Sequence, residues 1–139
     1  HQKKLAQVKV RREAKETVFG EDFQQAIIQF LNFDQKHQLL VEQLSKLVKE
    51  HAVPVGSGTV ARSSSVTLED KAALAVMAWM RHKTSAYDAT PVARVKGARR
   101  ELRRQIARQS ERILAKYRSG EDFDFKACPL YRVLHPAEL

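Results

Sequence analysis

The longest uninterrupted apolar run in the chain extends from Ala72 to Met80. Leu68, Ala72, Ala75, Val76, Trp79 and Met80 fall on one stripe at helical spacing, while Leu74, Met77 and Ala78 cover the other side. A segment that is apolar all round must be enclosed, so this stretch predicts the central helix of an α-helical domain. Thr67, followed three residues later by Asp70, reads as its N-terminal cap. Nine apolar residues fall well short of the roughly 20 needed to cross a bilayer. Polarity then returns at once as Arg81-His82-Lys83-Thr84-Ser85-Ala86-Tyr87-Asp88, a cluster carried from the core to the surface.

The flanking segments repeat the helical period. Gly20 predicts a break before Glu21 and Asp22, and Phe23, Ala26, Ile27, Phe30 and Leu31 then form a two-turn apolar face. Asp34 is placed to cap a second helix whose inner side carries Leu40, Leu44, Leu47, Val48 and His51, widened by Leu39 and Val41. The two together predict an antiparallel hairpin. Val53 to Ser65 breaks the pattern with Pro54 and Gly56-Ser57-Gly58, and reads as a connection or as an anion-contacting loop. It lacks the Gly-Lys-Ser/Thr ending of a nucleotide-binding loop. Pro91 ends or redirects the chain, and Val92 to Gly97 is a short basic linker. A long helix follows from about Ala98 to Arg118 and stops near Gly120, with Ala98, Leu102, Ile106, Ile113, Leu114 and Tyr117 inward. In the tail, Phe123, Phe125, Leu130, Tyr131, Val133 and Leu134 predict a segment that wraps the bundle. The expected fold is a compact all-α domain of about four main helices. Residues 1–19 form a basic N-terminal arm, 20–120 the helical domain and 121–139 a docking tail.

Composition sharpens this picture at two points. The single cysteine, Cys128, excludes an internal disulfide framework and favours a reducing, cytoplasmic setting. No secretory pattern is present, and His1 in place of methionine leaves the native start open. The net charge of +9 is also strongly uneven. Residues 1–16 hold six Lys and Arg against two acids, and residues 94–118 hold ten against two. The segments between and after are slightly acidic, so the charge sits in an arm and one helix.

In that helix Arg100, Arg104, Arg108, Arg112 and Lys116 recur every four residues, with Arg99 and Arg103 beside them. Like charges at this spacing repel by a few tenths of a kcal/mol per pair, and only Glu101 and Glu111 offset them locally. A pattern that opposes its own helix suggests a polyanionic partner, and arginine suits bidentate phosphate contact. The bland alternative is a solvated face or one paired with acids of another subunit. The expected nucleic-acid contacts are Arg94, Lys96, Arg99, Arg100, Arg103, Arg104, Arg108, Arg112 and Lys116, with Lys3, Lys4, Lys9, Arg11 and Arg12 of the arm. RNA is favoured over DNA because no major-groove recognition motif is present, and a ribosomal or other ribonucleoprotein setting is expected.

VPVGSGTVAR, AWMRHKTSAYD and VKGARRELRR together resemble the domain-of-unknown-function family 2293, a bacterial family whose cyanobacterial members look most similar. The resemblance covers about Phe19 to Leu134. Its signature falls on Gly56, Ser57, Gly58 and Arg62 in the loop, and on Arg81, His82, Ser85, Tyr87 and Asp88 at the helix end. Ser85 departs from the threonine usual there, but keeps the hydroxyl. The resemblance implies a shared fold and no activity. These nine residues are a possible polar site where loop and helix end meet. As catalytic machinery they fall short, because Asp88 lies on the opposite side of an ideal helix from His82. No histidine and carboxylate spacing suits a metal, and no catalytic residue or cofactor is expected; with so short an apolar run, no membrane contact is expected either. The rival readings are a protein-interaction module that docks the arginine helix on an acidic partner, and a nuclease built on His82.

Overall fold

The computed structural model describes residues 2–52 and 66–138, and among them it contains helices and turns but no strand. Helix α1 is Gln2–Leu31, α2 is Gln38–Ala52, α3 is Leu68–Thr84, α4 is Ala98–Ser119 and α5 is Pro129–Leu134. Short 3-10 turns follow α1, α3, α4 and α5.

Helix α3 occupies the centre, packed against α1, α2, α4 and α5. The Thr67 hydroxyl accepts from the Asp70 N–H at 3.1 Å, as the capping pattern predicts. Glu69 and Asp70 lie in the first turn and Arg81, His82 and Lys83 in the last, complementing the helix dipole at both ends. Ala72, Ala75, Val76, Trp79 and Met80 are buried. Leu74 is not: it is 54% exposed, because the four neighbours leave one strip of α3 uncovered. The enclosure is therefore less complete than an all-round apolar run suggests.

Helix α1 differs more from expectation. It runs unbroken through Gly20, so the basic N-terminal residues and the Phe23–Leu31 core face share one helix. Gly20 is buried where α1 meets Lys49 of α2, and a Cβ there would lie 3.2 Å from Lys49 Cε. The residue marks a close approach, not a stop. The actual stop is Asn32, in the left-handed conformation at φ +47°, whose N–H donates to Ile28 O at 3.1 Å.

In α2 the inward face is rotated towards Val41. Val41, Leu44, Ser45, Val48 and Ala52 are buried, Leu40 and Leu47 are half-buried, and Leu39 is 82% exposed. A buried serine hides this face from an apolar count. Its hydroxyl donates to Glu42 O at 3.1 Å and accepts from Gln24 Nε2 at 3.3 Å, so burial leaves no polar group unmet.

Helix α4 lies between two left-handed glycines, Gly97 at φ +87° and Gly120 at φ +74°. Its C-terminal end is tied to that of α1. The Asp34 N–H donates to Tyr117 O at 2.9 Å, and the Arg118 guanidinium donates to Phe30 O and Leu31 O, each at 2.8 Å. A Cβ on Gly120 would fall 2.5 Å from Asp34 Oδ2, so this join needs glycine for space as well as for conformation. The tail then wraps back as expected, with Cys128, Leu130 and Leu134 buried.

Candidate functional site

The arginine ridge is exposed along its whole length, from Arg100 through Arg104, Arg108 and Arg112 to Lys116. Each four-residue step advances about 40° beyond a full turn, so the ridge winds about 160° round α4. Arg104, Arg108 and Arg112 point away from the buried stripe of Ile106, Ser110, Ile113 and Tyr117, while Arg100 and Lys116 turn to either side. Glu101 lies 3.5 Å from Arg108 and 3.8 Å from Arg104, both in solvent. Among the described residues no acid lies within ion-pair distance of Arg100, Arg112 or Lys116. Arg94 and Lys96 are exposed on the linker, and Arg94, Arg99 and Arg100 line a cleft of about 420 Å³. Lys4, Lys9 and Arg11 are exposed on α1, to which Lys3 and Arg12 also belong. Gly56, Ser57, Gly58 and Arg62 lie outside the described residues, as does their expected meeting with the helix end.

Arg99 and Arg103 do not belong to the ridge. By angle they continue the inward stripe of α4, where the core gives way to Tyr87 of the 3-10 turn Tyr87–Ala89. Tyr87 is only 8% exposed. Its phenol oxygen accepts from Arg103 Nε at 2.9 Å and from an Arg99 terminal nitrogen at 3.4 Å. The guanidinium carbons of Arg81 and Arg103 lie 5.4 and 5.8 Å from the ring centroid, within cation–π range. Hydrogen bonds first from Arg99 and then from Arg103 hold the phenol pKa below its ordinary value, against the opposing effect of burial. The Arg81 Nε–H is buried and meets no acceptor.

His82 also departs from expectation. Its Nδ1 lies 2.7 Å from Asp88 Oδ1, so an acid does orient the ring. An ideal helix would place Asp88 on the far side, but α3 ends at Thr84 and the following turn brings Asp88 back. Hydroxyls direct that ending. Thr84 Oγ1 donates to Met80 O at 2.7 Å, and Ser85 Oγ donates to Arg81 O and accepts from the Tyr87 N–H at 3.2 Å. Ser85 is thereby a turn-forming residue, its hydroxyl committed to the backbone. The His51 ring stands 6.1 Å from that of His82, and its pKa is lowered by burial, then by Lys83 and His82. His82 with Asp88 is chemically an oriented base, and among the described residues no protein nucleophile stands beside it.

Arg118 has a part that residue type alone does not announce. It is an arginine like those of the ridge, yet its guanidinium closes the end of α1 and lies 5.2 Å over the Phe30 ring. Its place at the C-terminal turn of α4, directly after inward-facing Tyr117, was the available signal. A second cleft of about 370 Å³ opens at this end, with His37, Tyr117, Phe123, Phe125, Tyr131 and His135 in its wall. Among the described residues no group of three or more His, Cys, Asp or Glu side chains is placed to hold a metal ion. No helix among them is long and apolar enough to cross a membrane.

The features together define an all-α domain with an outward basic helix and a polar cluster at the end of its central helix. The chain belongs to the family described as "Uncharacterized conserved protein (DUF2293)", whose model matches residues 32–118. The match takes in α2 through most of α4 and leaves out α1, a shorter span than the resemblance of the motifs implies. No curated protein and no solved structure matches the chain.

Proposed function

We propose that this protein binds a structured nucleic acid, RNA in preference to DNA, through phosphate contacts from the outward face of α4. The observation that carries the reading is the row Arg104, Arg108 and Arg112, which faces directly away from the core with Glu101 as its paired acid. Three guanidiniums held on one side of a rigid helix suit successive phosphates, while Arg100 and Lys116 reach round the helix to either side. The exposed cations of α1 and the linker add positive charge for a polyanion, and a ribonucleoprotein is the natural setting.

The test is fluorescence anisotropy on a structured RNA and on a DNA duplex of equal length, across a salt series. Arg104→Gln with Arg108→Gln should weaken RNA binding and flatten the slope of log K against log salt by about 0.9 for each lost phosphate contact. A folded double variant with unchanged affinity and slope would overturn the reading and leave α4 to an acidic protein partner. Loss of labelled RNA by cleavage, abolished in His82→Gln, would instead favour a nuclease.

A further inference from the structure

Within α4 the seven arginines fall into three arrangements, and one of them calls for a ligand. The ridge arginines stand in solvent, and Arg118 is consumed by two carbonyls. Arg99 and Arg103 are different: they sit on the stripe that elsewhere carries Ile106, Ser110, Ile113 and Tyr117, and they converge on one neutral oxygen. Arg81 approaches the same ring from α3.

Three like charges have therefore been gathered round a phenol, with no carboxylate among the described residues to neutralise them. Asp88, in the same turn, is taken by His82, and Glu101, at the start of α4, is taken by Arg104 and Arg108. Closing the end of the core would be achieved at lower cost by apolar residues at positions 99 and 103. Arg99 and Arg103, four residues apart, instead repel one another, and the Arg81 Nε–H stays buried without an acceptor. Both costs make sense if the cluster is completed by an anion.

The geometry identifies the kind of anion. The two donor nitrogens lie 3.4 and 2.9 Å from the same oxygen, hence within about 6 Å of each other. One phosphate group can bridge such a span with N–H···O bonds of about 2.9 Å. Each guanidinium has five N–H groups and gives one to Tyr87, so donors remain on both. Arg99 and Arg103 are exposed and open to a ligand, whereas Tyr87 is buried beneath them as a positioning residue. Arg81 adds charge over the ring. The lowered pKa of Tyr87, caused first by the hydrogen bonds from Arg99 and Arg103, agrees with both guanidiniums being held on its oxygen.

We propose that Arg99 and Arg103, held by Tyr87 and supported by the charge of Arg81, form a binding site for a terminal phosphate monoester of a nucleic-acid strand. A dianionic monoester matches three uncompensated cations better than the single charge of an internal diester. The phosphate site stands on its own geometry; its assignment to a nucleic-acid end rests on the function proposed above.

The experiment compares three RNA hairpins of one sequence, carrying a 5′-phosphate, a 3′-phosphate or neither, by anisotropy. The parent protein should bind one phosphorylated form about tenfold tighter than the unphosphorylated one. Arg99→Gln with Arg103→Gln should abolish that preference, and Tyr87→Phe, which keeps the charges but frees the arginines, should reduce it. Arg104→Gln with Arg108→Gln should weaken all three oligonucleotides together. Equal binding of all three would overturn the terminal-phosphate site while leaving nucleic-acid binding intact. If none binds, the nucleic-acid reading falls, and a thermal-shift comparison of inorganic phosphate with chloride at equal ionic strength decides the site. A stabilisation by phosphate that disappears in the Arg99→Gln, Arg103→Gln variant supports the anion site; its absence in the parent overturns it.

Discussion

Replacing Arg118 by methionine tests how the two long helices are joined, because it removes the guanidinium and keeps most of the stem. In the native chain Arg118 donates to Phe30 O and Leu31 O, two of the carbonyls that α1 leaves unbonded at its end. Hydrogen bonds involving a charged group contribute about 1.5–3 kcal/mol each. The guanidinium is half-buried, and water reaches part of the space it vacates, so the lower end of that range applies. Its position at the C-terminus of α1 adds about 0.3–1 kcal/mol through the helix dipole, and its stacking on Phe30 about 0.5–1 kcal/mol. Shared geometry makes these terms overlap, and Arg118→Met should cost about 2–4 kcal/mol in all. Arg118→Lys should restore less than half, since one ammonium cannot reproduce a planar fork with two acceptors. Urea unfolding followed by circular dichroism at 222 nm reads the effect as a lower midpoint with an unchanged slope. Stability within about 0.5 kcal/mol of the parent for both variants would refute the cap, since surface substitutions away from such features fall in that range.

Two further outcomes follow from the core. Gly20→Ala should raise stability by about 0.5–1 kcal/mol, because alanine is the better residue inside a helix and the atoms nearest its Cβ belong to the far end of the Lys49 side chain; a loss of stability in the same urea assay would mean that Lys49 cannot yield and that the crossing requires glycine. Trp79→Ala should cost about 3–5 kcal/mol, since Trp79 is almost wholly buried on the central helix, and a variant with the parent melting temperature would remove α3 from the centre of the fold.

Features set by neighbouring residues were the legible ones. The Thr67 cap, the inward run of α3 and the glycine stop of α4 depend on residues within one or two turns of each other, and all three are present. What escaped depends on where a helix ends or what it meets. Asp88 reaches His82 only because Thr84 and Ser85 turn their hydroxyls onto carbonyls one turn back and finish α3 early. The Thr-Ser pair before Ala-Tyr-Asp was the available signal, but an ideal helix drawn through it points Asp88 the wrong way. Gly20 carried two opposite meanings, helix stop or close crossing, and only the approach of Lys49 decides between them. Arg99 and Arg103, read as lying beside the ridge, have a second relation that the helical period also carries. Adjacent in sequence to the ridge, they lie on the stripe of Ile106 and Tyr117 once the 100° step per residue is followed.

The charge of α4 also bears on how the domain holds together. Its outward cations oppose helix formation by a few tenths of a kcal/mol per i,i+4 pair, so α4 draws its stability from the apolar face and from its two ends. At the N-terminal end Tyr87 gathers Arg99 and Arg103; at the C-terminal end Asp34, Arg118 and Gly120 lock the helix to α1. Between these anchors, among the described residues, the row from Arg104 to Arg112 makes no ion pair or hydrogen bond beyond the exposed pairs with Glu101. A helix built this way is rigid where it is anchored and electrostatically unsatisfied where it faces out. On the function proposed, a polyanion that settles on the outward row removes the repulsion and binds only the folded chain, so binding and stability rise together. That coupling separates the ridge from a merely solvated face. On a solvated face, removing the charges relieves the repulsion and costs nothing else; on a phosphate-binding face it relieves the repulsion and abolishes the stabilisation by the ligand.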